Sequence, residues 1–367
     1  MRAVCEKKYL QNALILSEKI AGKNNTLPIL NAVLLATEKK SIIFSSTNLE
    51  IGLKISIPAK IEKEGVVAVS AKLFSSFVSS FNENEEMIID TVNNNLVLST
   101  KNSSTTIKGY NPSDFPILPK ISEKKSFIVS AFDFVLGLRS VFYSSSLSET
   151  KPEINSVYIY SSSKTPLTFV ATDSFRLAEK KIPYNLNDFS NFLIPYRNVI
   201  EILKIFENQE GDLTIKTDDN NLNISSKNIE LTSRLTDGTF LDYKQIIPNN
   251  FINTAQVNKK RFIDAIKTSS LFSGKLNEVK IKIYKNESFL EIQTSNPDFG
   301  ENTINIPAKT EGEDLVMVFN YKYLIDSIQS FKTEDLFFKF SGEGKPLLIT
   351  GFGDNSFVYL VMPMKDI

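Results

Sequence analysis

The pattern of apolar and polar positions repeats three times along the chain, at an interval of 125 residues. The segments Lys72–Phe81, Arg197–Phe206 and Lys322–Phe331 each begin with a basic residue, end in phenylalanine and align without a gap. Within each segment apolar residues recur at i, i+4 and i+7, which is the stripe of an amphipathic helix. The pattern therefore predicts one helix in three copies.

The flanks of these segments repeat as well. A short apolar run precedes each segment, and a strand-like stretch followed by a polar turn comes after it. The turns are Asn93–Asn95, Asp218–Asn220 and Glu343–Lys345. Asn, Asp and Gly tolerate the positive φ angles that hairpin turns require. A second helix-like stretch opens each copy, and the repeat has the size of a domain.

Two linker-like stretches, Pro116–Ser126 and Pro248–Ala255, separate the copies. They place domain boundaries at about 1–118, 126–248 and 252–367. Short runs within each copy alternate apolar with polar residues, as strands with one buried face do. The predicted fold class is α+β, with three repeated domains of two helices packed on antiparallel sheets.

The composition narrows the possible chemistry. The chain has no histidine and a single cysteine, Cys5, so it lacks the commonest general base and the commonest zinc ligands. No intrachain disulfide is possible, which suits a reducing cytosol. The amino terminus has no apolar signal region, and no run is long enough to span a membrane. We expect a cytoplasmic protein without a metal or cofactor; an enzyme would have to use carboxylates, lysine, serine or a hard cation.

Three short motifs fit turns better than ligand sites. Gly342–Lys345 and Gly351–Gly353 match neither common phosphate-binding motif, and neither opens a predicted helix. Asp218 and Asp219 lack the alternating ligands of a calcium loop and fall at the repeated hairpin position. We interpret all three motifs as turns.

Two other segments have either a structural or a binding role. Asp173 and Arg176 either tie down a turn at a strand end or belong to a partner-binding loop. Ser174 beside them has neither the histidine nor the flanking glycines of a catalytic nucleophile. The ending Phe357–Met364 is either a core strand or, with a methionine on each side of Pro363, part of an adaptable recognition groove.

Charge is unevenly distributed, although the chain has 42 basic and 42 acidic residues. The six predicted helices are residues 7–20, 71–81, 131–143, 196–206, 258–272 and 321–331. They hold twelve basic and five acidic residues, so the remainder carries an excess of seven negative charges. This excess on the helices is either a chance imbalance on solvated faces or a surface that faces a polyanion.

Motifs along the whole chain, on three equal repeats, resemble the bacterial sliding clamps, the beta-subunit family of DNA polymerase III. The motifs are Thr26–Leu30, Thr47–Glu50, Asp114–Pro116, Ala171–Ala178, Asp237–Phe240 with Asp242 and Tyr243, Phe319 with Asn320, and Val361–Met364. The resemblance implies the DNA clamp fold, in which a head-to-tail homodimer closes six domains into a ring. It implies that helices line the hole, that duplex DNA is bound without base readout, and that no catalysis occurs.

The resemblance also implies two sets of site residues. Lys72, Arg197 and Lys204 are expected to contact DNA phosphates in the hole. A groove for partner peptides is expected in the second and third domains. Its residues are Ile154, Thr172, Phe175, Arg176, Leu177, Leu241, Ile246, Asn320, Tyr323, Leu360, Val361, Met362, Pro363 and Met364. The polymerase III alpha subunit, other polymerases, the clamp loader and repair proteins are expected to dock there through short extended peptides.

The chain departs from the family pattern at three places. Asn24 and Asn25 stand where the family commonly has an arginine, and Ser174 with Phe175 replaces its Gly-His. The third departure is at the expected dimer interface, where the strand of the first domain is often aromatic in the family. The expected interface residues are Thr105, Thr106 and Ile107 of one subunit against Leu271 and Phe272 of the next. The smaller apolar area leads to the hypothesis of a ring that opens more easily.

Two other functions compete with a non-catalytic clamp. A carboxylate-based, glycosidase-like hydrolase on repeated β-rich domains would need two carboxylates across a cleft, and no such pair stands out. A scaffold that uses the peptide groove without DNA is the second. Retention on circular but not on linear DNA distinguishes the clamp from both.

Overall fold

The computed structural model describes residues 1–22, 26–82, 85–119, 121, 125–187 and 191–364. Over these residues it contains six α-helices, each where the sequence predicts one. They are α1 (Lys7–Ile20), α2 (Ala71–Ser79), α3 (Ala131–Val141), α4 (Tyr196–Phe206), α5 (Lys259–Ser270) and α6 (Tyr321–Ile328). Three begin at capping side chains, Ser70, Asn258 and Asn320, each of which accepts an N–H of the first turn.

Twenty-six strands lie in the described part of the chain. The first ten are β1 (Arg2–Glu6), β2 (Ala32–Glu38), β3 (Ser41–Thr47), β4 (Ile51–Pro58), β5 (Lys60–Lys63), β6 (Val66–Ser70), β7 (Glu86–Val92), β8 (Asn95–Ser99), β9 (Ser104–Ile107) and β10 (Gly109–Tyr110). The next eight are β11 (Lys125–Ser130), β12 (Ser156–Ser162), β13 (Thr165–Thr172), β14 (Arg176–Ile182), β15 (Phe192–Pro195), β16 (Asp212–Thr217), β17 (Asn221–Ser225) and β18 (Ile229–Arg234). The last eight are β19 (Asn253–Asn258), β20 (Glu278–Ile283), β21 (Phe289–Asn296), β22 (Gly300–Glu311), β23 (Leu315–Asn320), β24 (Asp335–Phe340), β25 (Leu347–Gly351) and β26 (Asp354–Val361).

The three domains repeat one strand order, which confirms the predicted repetition and the α+β class. The antiparallel hairpin of β2 and β3 recurs as β12 with β13 and as β20 with β21. The third strand of this meander is β4 in the first domain, β14 in the second and β22 in the third. A second meander ends in β9, β18 or β26. β4, β14 and β22 are therefore equivalent, and so are β9, β18 and β26.

Three antiparallel sheets result, and two of them join strands of neighbouring domains. The five-stranded sheet has the order β5-β1-β7-β8-β9. The nine-stranded sheet has the order β10-β6-β2-β3-β4-β18-β17-β16-β11. The twelve-stranded sheet has the order β15-β12-β13-β14-β26-β25-β24-β19-β22-β21-β20-β23. The joints are β4 with β18 and β14 with β26.

The contacts divide the chain into two compact units, which are described separately. Unit 1 is Met1–Phe134 with Arg197–Leu235, and unit 2 is Val135–Tyr196 with Thr236–Ile367. The five- and nine-stranded sheets lie in unit 1, and the twelve-stranded sheet lies in unit 2. The division follows shared sheets and cuts through the second domain, so the domain boundaries drawn from the linkers stay a prediction.

The three motifs interpreted as turns are turns in the structure. Asn93 and Asn94 have φ angles of 49° and 64° between β7 and β8, where glycine or asparagine is favoured. The Asp218 carboxylate accepts the backbone N–H groups of Asn220 and Asn221. Glycines with positive φ angles occupy the turns at residues 342–344 and 353.

The buried side chains of the first domain include a thiol and an ammonium group. Cys5 lies in the core, and burial raises the pKa of its thiol to about 12, so the thiol is neutral at physiological pH. Lys7, counted above among the helix cations, is only 3% exposed and adds little to the surface charge. Within the described residues, no helix is long and apolar enough to cross a membrane.

Candidate functional site

A cluster of apolar side chains covers one face of the twelve-stranded sheet in unit 2. Leu177 of β14 and Leu360 of β26 are adjacent across the strand pair and are both buried. They pack with Val170, Leu193, Leu348, Phe240 and Tyr243, while Leu241 and Met362 pack against the cluster from its edge. Four predicted groove residues, Leu177, Leu241, Leu360 and Met362, are thus brought together.

Aromatic residues that the sequence analysis did not assign to the site form one side of this cluster. The ring of Tyr158 stacks on Phe240, with centroids 4.9 Å apart, and on Tyr160, with centroids 5.2 Å apart. The Tyr160 and Tyr243 hydroxyls are 2.7 Å apart, and Tyr243 donates to the buried Glu179 carboxylate. Burial, with Glu179 adding to it, raises the pKa of Tyr243, which keeps this hydroxyl a donor.

The turn between β13 and β14 is held by its own side chains. The Asp173 carboxylate accepts the backbone N–H groups of Phe175 and Arg176, each at 2.9 Å. The Thr172 hydroxyl donates to the Arg176 carbonyl at 2.7 Å. Ser174 has a φ angle of 77°, and Phe175 is exposed. Asp173 therefore has a structural role, and it fixes the backbone of Phe175, whose carbonyl accepts the Met362 N–H.

Arg176 is the most heavily bonded side chain of the site. Its guanidinium donates to Asp173 at 2.9 Å, to Asp326 of α6 at 2.6 Å and to the Tyr143 carbonyl at 2.6 Å. It also lies 4.3 Å from the ring centroid of Tyr323. Burial opposes its charge, but hydrogen bonds to the Asp326 and Asp173 carboxylates outweigh burial and raise the pKa of Arg176. The guanidinium bonds to groups of the protein itself, so its role is to hold the β13–β14 turn, α6 and the Tyr143 backbone in place.

The carboxyl-terminal segment is fixed at two backbone positions. The Met362 N–H donates to the Phe175 carbonyl at 2.8 Å, and the Met364 N–H donates to the Val318 carbonyl at 2.8 Å. The segment is therefore hydrogen-bonded as far as Met364, and β26 is a core strand whose Leu360 belongs to the apolar cluster, while its part in a peptide groove stays a prediction. Residues 365–367, the end of the predicted third domain, lie outside the described residues.

The remaining predicted groove residues occupy different surroundings. Thr172 and Val361 are buried, Pro363 and Met364 are half-buried, and Ile246 is exposed on the segment after Leu241. Asn320 caps α6 by accepting the Lys322 N–H at 3.0 Å, so its side chain has a structural task. Ile154 is buried in the loop before β12 and is not part of the apolar cluster.

Basic residues meet on the helices of unit 1. Lys72, at the start of α2, lines a surface cleft of about 640 Å³ together with Lys19 of α1. The Lys19 ammonium donates to the Lys204 carbonyl in the last turn of α4 at 2.9 Å. Lys204 also pairs with Glu201 at 2.9 Å. The structure thus links Lys72 and Lys204 through Lys19, a residue not included among the predicted DNA contacts, whereas Arg197 lies exposed in the first turn of α4.

The charge excess persists at the surface of the helices. Ten of their twelve basic residues are exposed, compared with three of their five acidic residues. The exposed bases are Lys8, Lys19, Lys72, Arg139, Arg197, Lys204, Lys260, Arg261, Lys267 and Lys322. Asn24 and Asn25, where the family arginine is missing, lie outside the described residues.

The predicted interface residues lie beside free strand edges. β9 is the last strand of the five-stranded sheet, with Thr106 exposed and Thr105 half-buried. Ile107 is only 3% exposed and sits opposite Leu96 in its own domain, so it offers little side-chain area at the surface, and its place in the interface stays a prediction. In unit 2, Leu271 is 71% exposed and Phe272 is half-buried, directly after α5.

The described residues contain no group of three or more Cys, Asp or Glu side chains arranged to hold a metal ion. The donors that do converge, around Arg176 and Glu179, already satisfy one another. The described residues thus present an apolar cluster in unit 2, with Leu241 and Met362 at its edge, and exposed basic side chains on the helices.

Comparison with known proteins gives the same family along the chain. Models of the DNA polymerase III beta subunit match its N-terminal domain to residues 1–119, its central domain to 134–242 and its C-terminal domain to 244–365. Relatives named beta sliding clamp, from Synechococcus elongatus and Staphylococcus aureus, are 25% and 24% identical over 100% of this chain and 99% of their own length.

Solved structures agree with these relatives. A DNA polymerase sliding clamp from Bacillus subtilis has a TM-score of 0.94 and 26% identity, and the match covers 100% of both chains. A DnaN sliding clamp from Pseudomonas aeruginosa, bound to griselimycin, has a TM-score of 0.95 and 21% identity over the same coverage.

Proposed function

Because this chain belongs to the DNA polymerase III beta subunit family, we propose that it closes as a head-to-tail homodimer around duplex DNA and docks partner peptides at its apolar cluster. It is a DNA sliding clamp, which tethers the replicative polymerase to its template and confers processivity. It is not an enzyme, and the hydrolase considered from the sequence is not supported. We expect it to act in the cytoplasm.

The observation that carries this proposal is a strand joint that the chain makes twice and leaves open once. β4 pairs with β18, and β14 pairs with β26. The remaining equivalents are β22 and β9. Among the described residues, the Gly300–Pro307 part of β22 pairs only with β21, and β9 pairs only with β8. Pairing of β22 in one copy with β9 in another would complete all six joints of a closed dimer.

The helix cations supply attraction without sequence readout. Duplex DNA presents phosphates at regular intervals, and lysine contacts to phosphate carry no base information. Lys19, Lys72, Arg197 and Lys204 are spread over three helices of unit 1, so we assign them to phosphate contact. Such contacts differ little in energy from one register to the next, which is what a protein that moves along DNA requires.

The apolar cluster supports docking of extended peptides with apolar anchors. Leu177, Leu241, Leu360 and Met362 are held on two strands and a short loop, and Phe175 stands at their rim. The polymerase alpha subunit, other polymerases, the clamp loader and repair proteins would compete for this surface, as proteins sharing one peptide-recognition mode do.

Topological retention tests the clamp function directly. The protein is loaded by its clamp loader on a nicked circular plasmid, and half of the sample is then linearised. We expect the protein to stay on circles and to leave linear DNA through the ends. The control is the same linearised plasmid with a protein bound at each end. Because the ends are blocked, it should retain the clamp. Equal retention on open linear and circular DNA would contradict encirclement.

The peptide groove gives a second prediction. Met362→Ala should weaken binding of the polymerase alpha subunit by tenfold or more, because truncating an anchor in a desolvated pocket costs more than about 1 kcal/mol. The backbone hydrogen bond from Met362 to Phe175 survives in this variant, so the fold and dimer should persist. Surface plasmon resonance measures the affinity. Val92→Ala, at an exposed apolar position in unit 1, should leave it unchanged. Full affinity of Met362→Ala would refute the groove assignment.

A further inference from the structure

The hairpins that carry β4, β14 and β22 each place an exposed apolar side chain in their turn. These side chains are Leu49, Phe175 and Phe299. All three turns are built alike, since Asn48, Asp173 and Asn296 each accept the backbone N–H two residues further on. Phe299 is 69% exposed and directly precedes β22, as Phe175 directly precedes β14.

In the two joints made within the chain, the residue directly before the strand extends the pairing. The Glu50 carbonyl accepts the Arg234 N–H at 2.9 Å where β4 meets β18. The Phe175 carbonyl accepts the Met362 N–H at 2.8 Å where β14 meets β26. The equivalent carbonyl before β22 belongs to Phe299. The equivalent N–H belongs to Lys108, because Lys108 directly follows Ile107, which lies opposite Leu96, as Arg234 directly follows Ser233, which lies opposite Leu222.

The turn that carries Phe299 is hydrogen-bonded to the end of α5 and the segment after it. The Asn296 amide donates to the Ser273 carbonyl at 3.2 Å, and the Ser269 hydroxyl donates to Asn302 at 3.0 Å. These bonds fasten the β21–β22 turn to the segment that carries Leu271 and Phe272. The free edge of β22 is therefore flanked by apolar groups of one unit that are exposed or half-buried, and large aromatic groups in this position are suited to anchoring a partner.

The opposing edge offers little apolar area. On β9, Ser104 and Thr106 are exposed, whereas Ile107 is buried in its own core. We infer that Phe299 is the main apolar anchor of the joint between subunits, and that its carbonyl accepts the N–H of Lys108 in a second copy of this chain. The inference rests on the proposed head-to-tail closure. In it, Phe299 supplies the aromatic contact that the β9 strand, with threonines in its middle, does not supply.

Substitution of Phe299 tests the anchor. Phe299→Ser should raise the dimer dissociation constant by roughly 30-fold or more, the loss expected when an aromatic hot spot is removed from an interface. Phe352→Ser is the matched control, because Phe352 is also an exposed phenylalanine of unit 2 but follows β25, away from the free edge. Phe299→Leu should stay close to the wild-type dissociation constant, because leucine retains most of the apolar contact. Sedimentation velocity over a dilution series gives the dissociation constants.

The outcomes distinguish the hypothesis that Phe299 is the anchor from the hypothesis that the chain closes as a dimer. If the wild type dimerises and Phe299→Ser dimerises equally well, the anchor is refuted and the closure stands. If Phe352→Ser weakens the dimer as much as Phe299→Ser does, the anchor is also refuted. If the wild type stays monomeric at micromolar concentration, the closure itself fails. Because Phe299 is exposed, the unfolding temperature of the monomer, measured below the dissociation constants, should not change, and a large decrease there in Phe299→Ser would place Phe299 in the fold of its own chain instead.

Discussion

Replacing Arg176 with methionine should lower the unfolding temperature of the protein by about 5–10 °C. The Arg176 side chain is 11% exposed and bonds to Asp173, Asp326 and the Tyr143 carbonyl. Methionine keeps the aliphatic volume but leaves Asp173 without its partner in a largely buried site. Removing one partner of a buried ion pair costs about 3 kcal/mol or more, because the other charge stays desolvated. Differential scanning calorimetry measures the shift.

Lys204→Met is the matched control for this prediction. Lys204 also pairs with a carboxylate three residues away, Glu201 at 2.9 Å, but its side chain is 48% exposed. An exposed pair contributes between zero and about 1 kcal/mol, so the temperature should change by little. Equal shifts for the two variants would mean that burial does not determine how much each ion pair stabilises the fold. That result would contradict the structural role assigned to Arg176.

The helices could be predicted from sequence because their signal is local. An apolar stripe repeated at 125 residues placed α2, α4 and α6, and a second helix-like stretch at the start of each copy placed the other three. The joints of β4 with β18 and β14 with β26 could not be predicted in this way, since any alternating strand with a free edge satisfies the same pattern. Pairing partners far apart in sequence depend on which edges the folded domains leave unpaired.

The site shows the same limit. Leu177, Leu360 and Met362 were assigned through short motifs that resemble the family, and the structure brings them together. Tyr158 and Tyr160 complete the cluster from a strand without a recognised motif, although their spacing of two residues placed them on one face. Lys19 was counted as a helix cation, but only the fold brings it to Lys72 and Lys204.

The two joints within the chain differ at one equivalent position, which bears on where an apolar cluster can form. Leu177, at the start of β14, contributes to the floor of the apolar cluster. The equivalent residue of β4 is Gly52, and a Cβ atom placed there would lie 2.8 Å from a methyl carbon of Leu118. The end of the first domain therefore fills the space that a side chain at this position would need. Repetition of the domain permits three such surfaces, and a single glycine with its leucine neighbour removes one.

Simultaneous replacement of Lys19, Lys72 and Lys204 with glutamine should weaken binding to duplex DNA by at least about tenfold at 0.1 M salt. Each phosphate contact releases counterions. Loss of three contacts should therefore reduce the slope of log K against log salt concentration by about 2.7 per protomer. Fluorescence anisotropy of a labelled duplex, between about 50 and 200 mM salt, measures both quantities.

A control variant distinguishes the position of the replaced lysines from the loss of net charge. A second triple variant, with Lys39, Lys40 and Lys63 changed to glutamine, removes the same charge from exposed positions of unit 1 outside the helices. It should keep nearly the full salt dependence, because those lysines lie on the strand edges and turns and not beside the cleft of Lys19 and Lys72. If both triples weaken binding equally, the interaction follows net charge alone, and the helices are not the surface that faces DNA. If only the helix triple does so, a chain with no net charge binds a polyanion through the placement of its lysines.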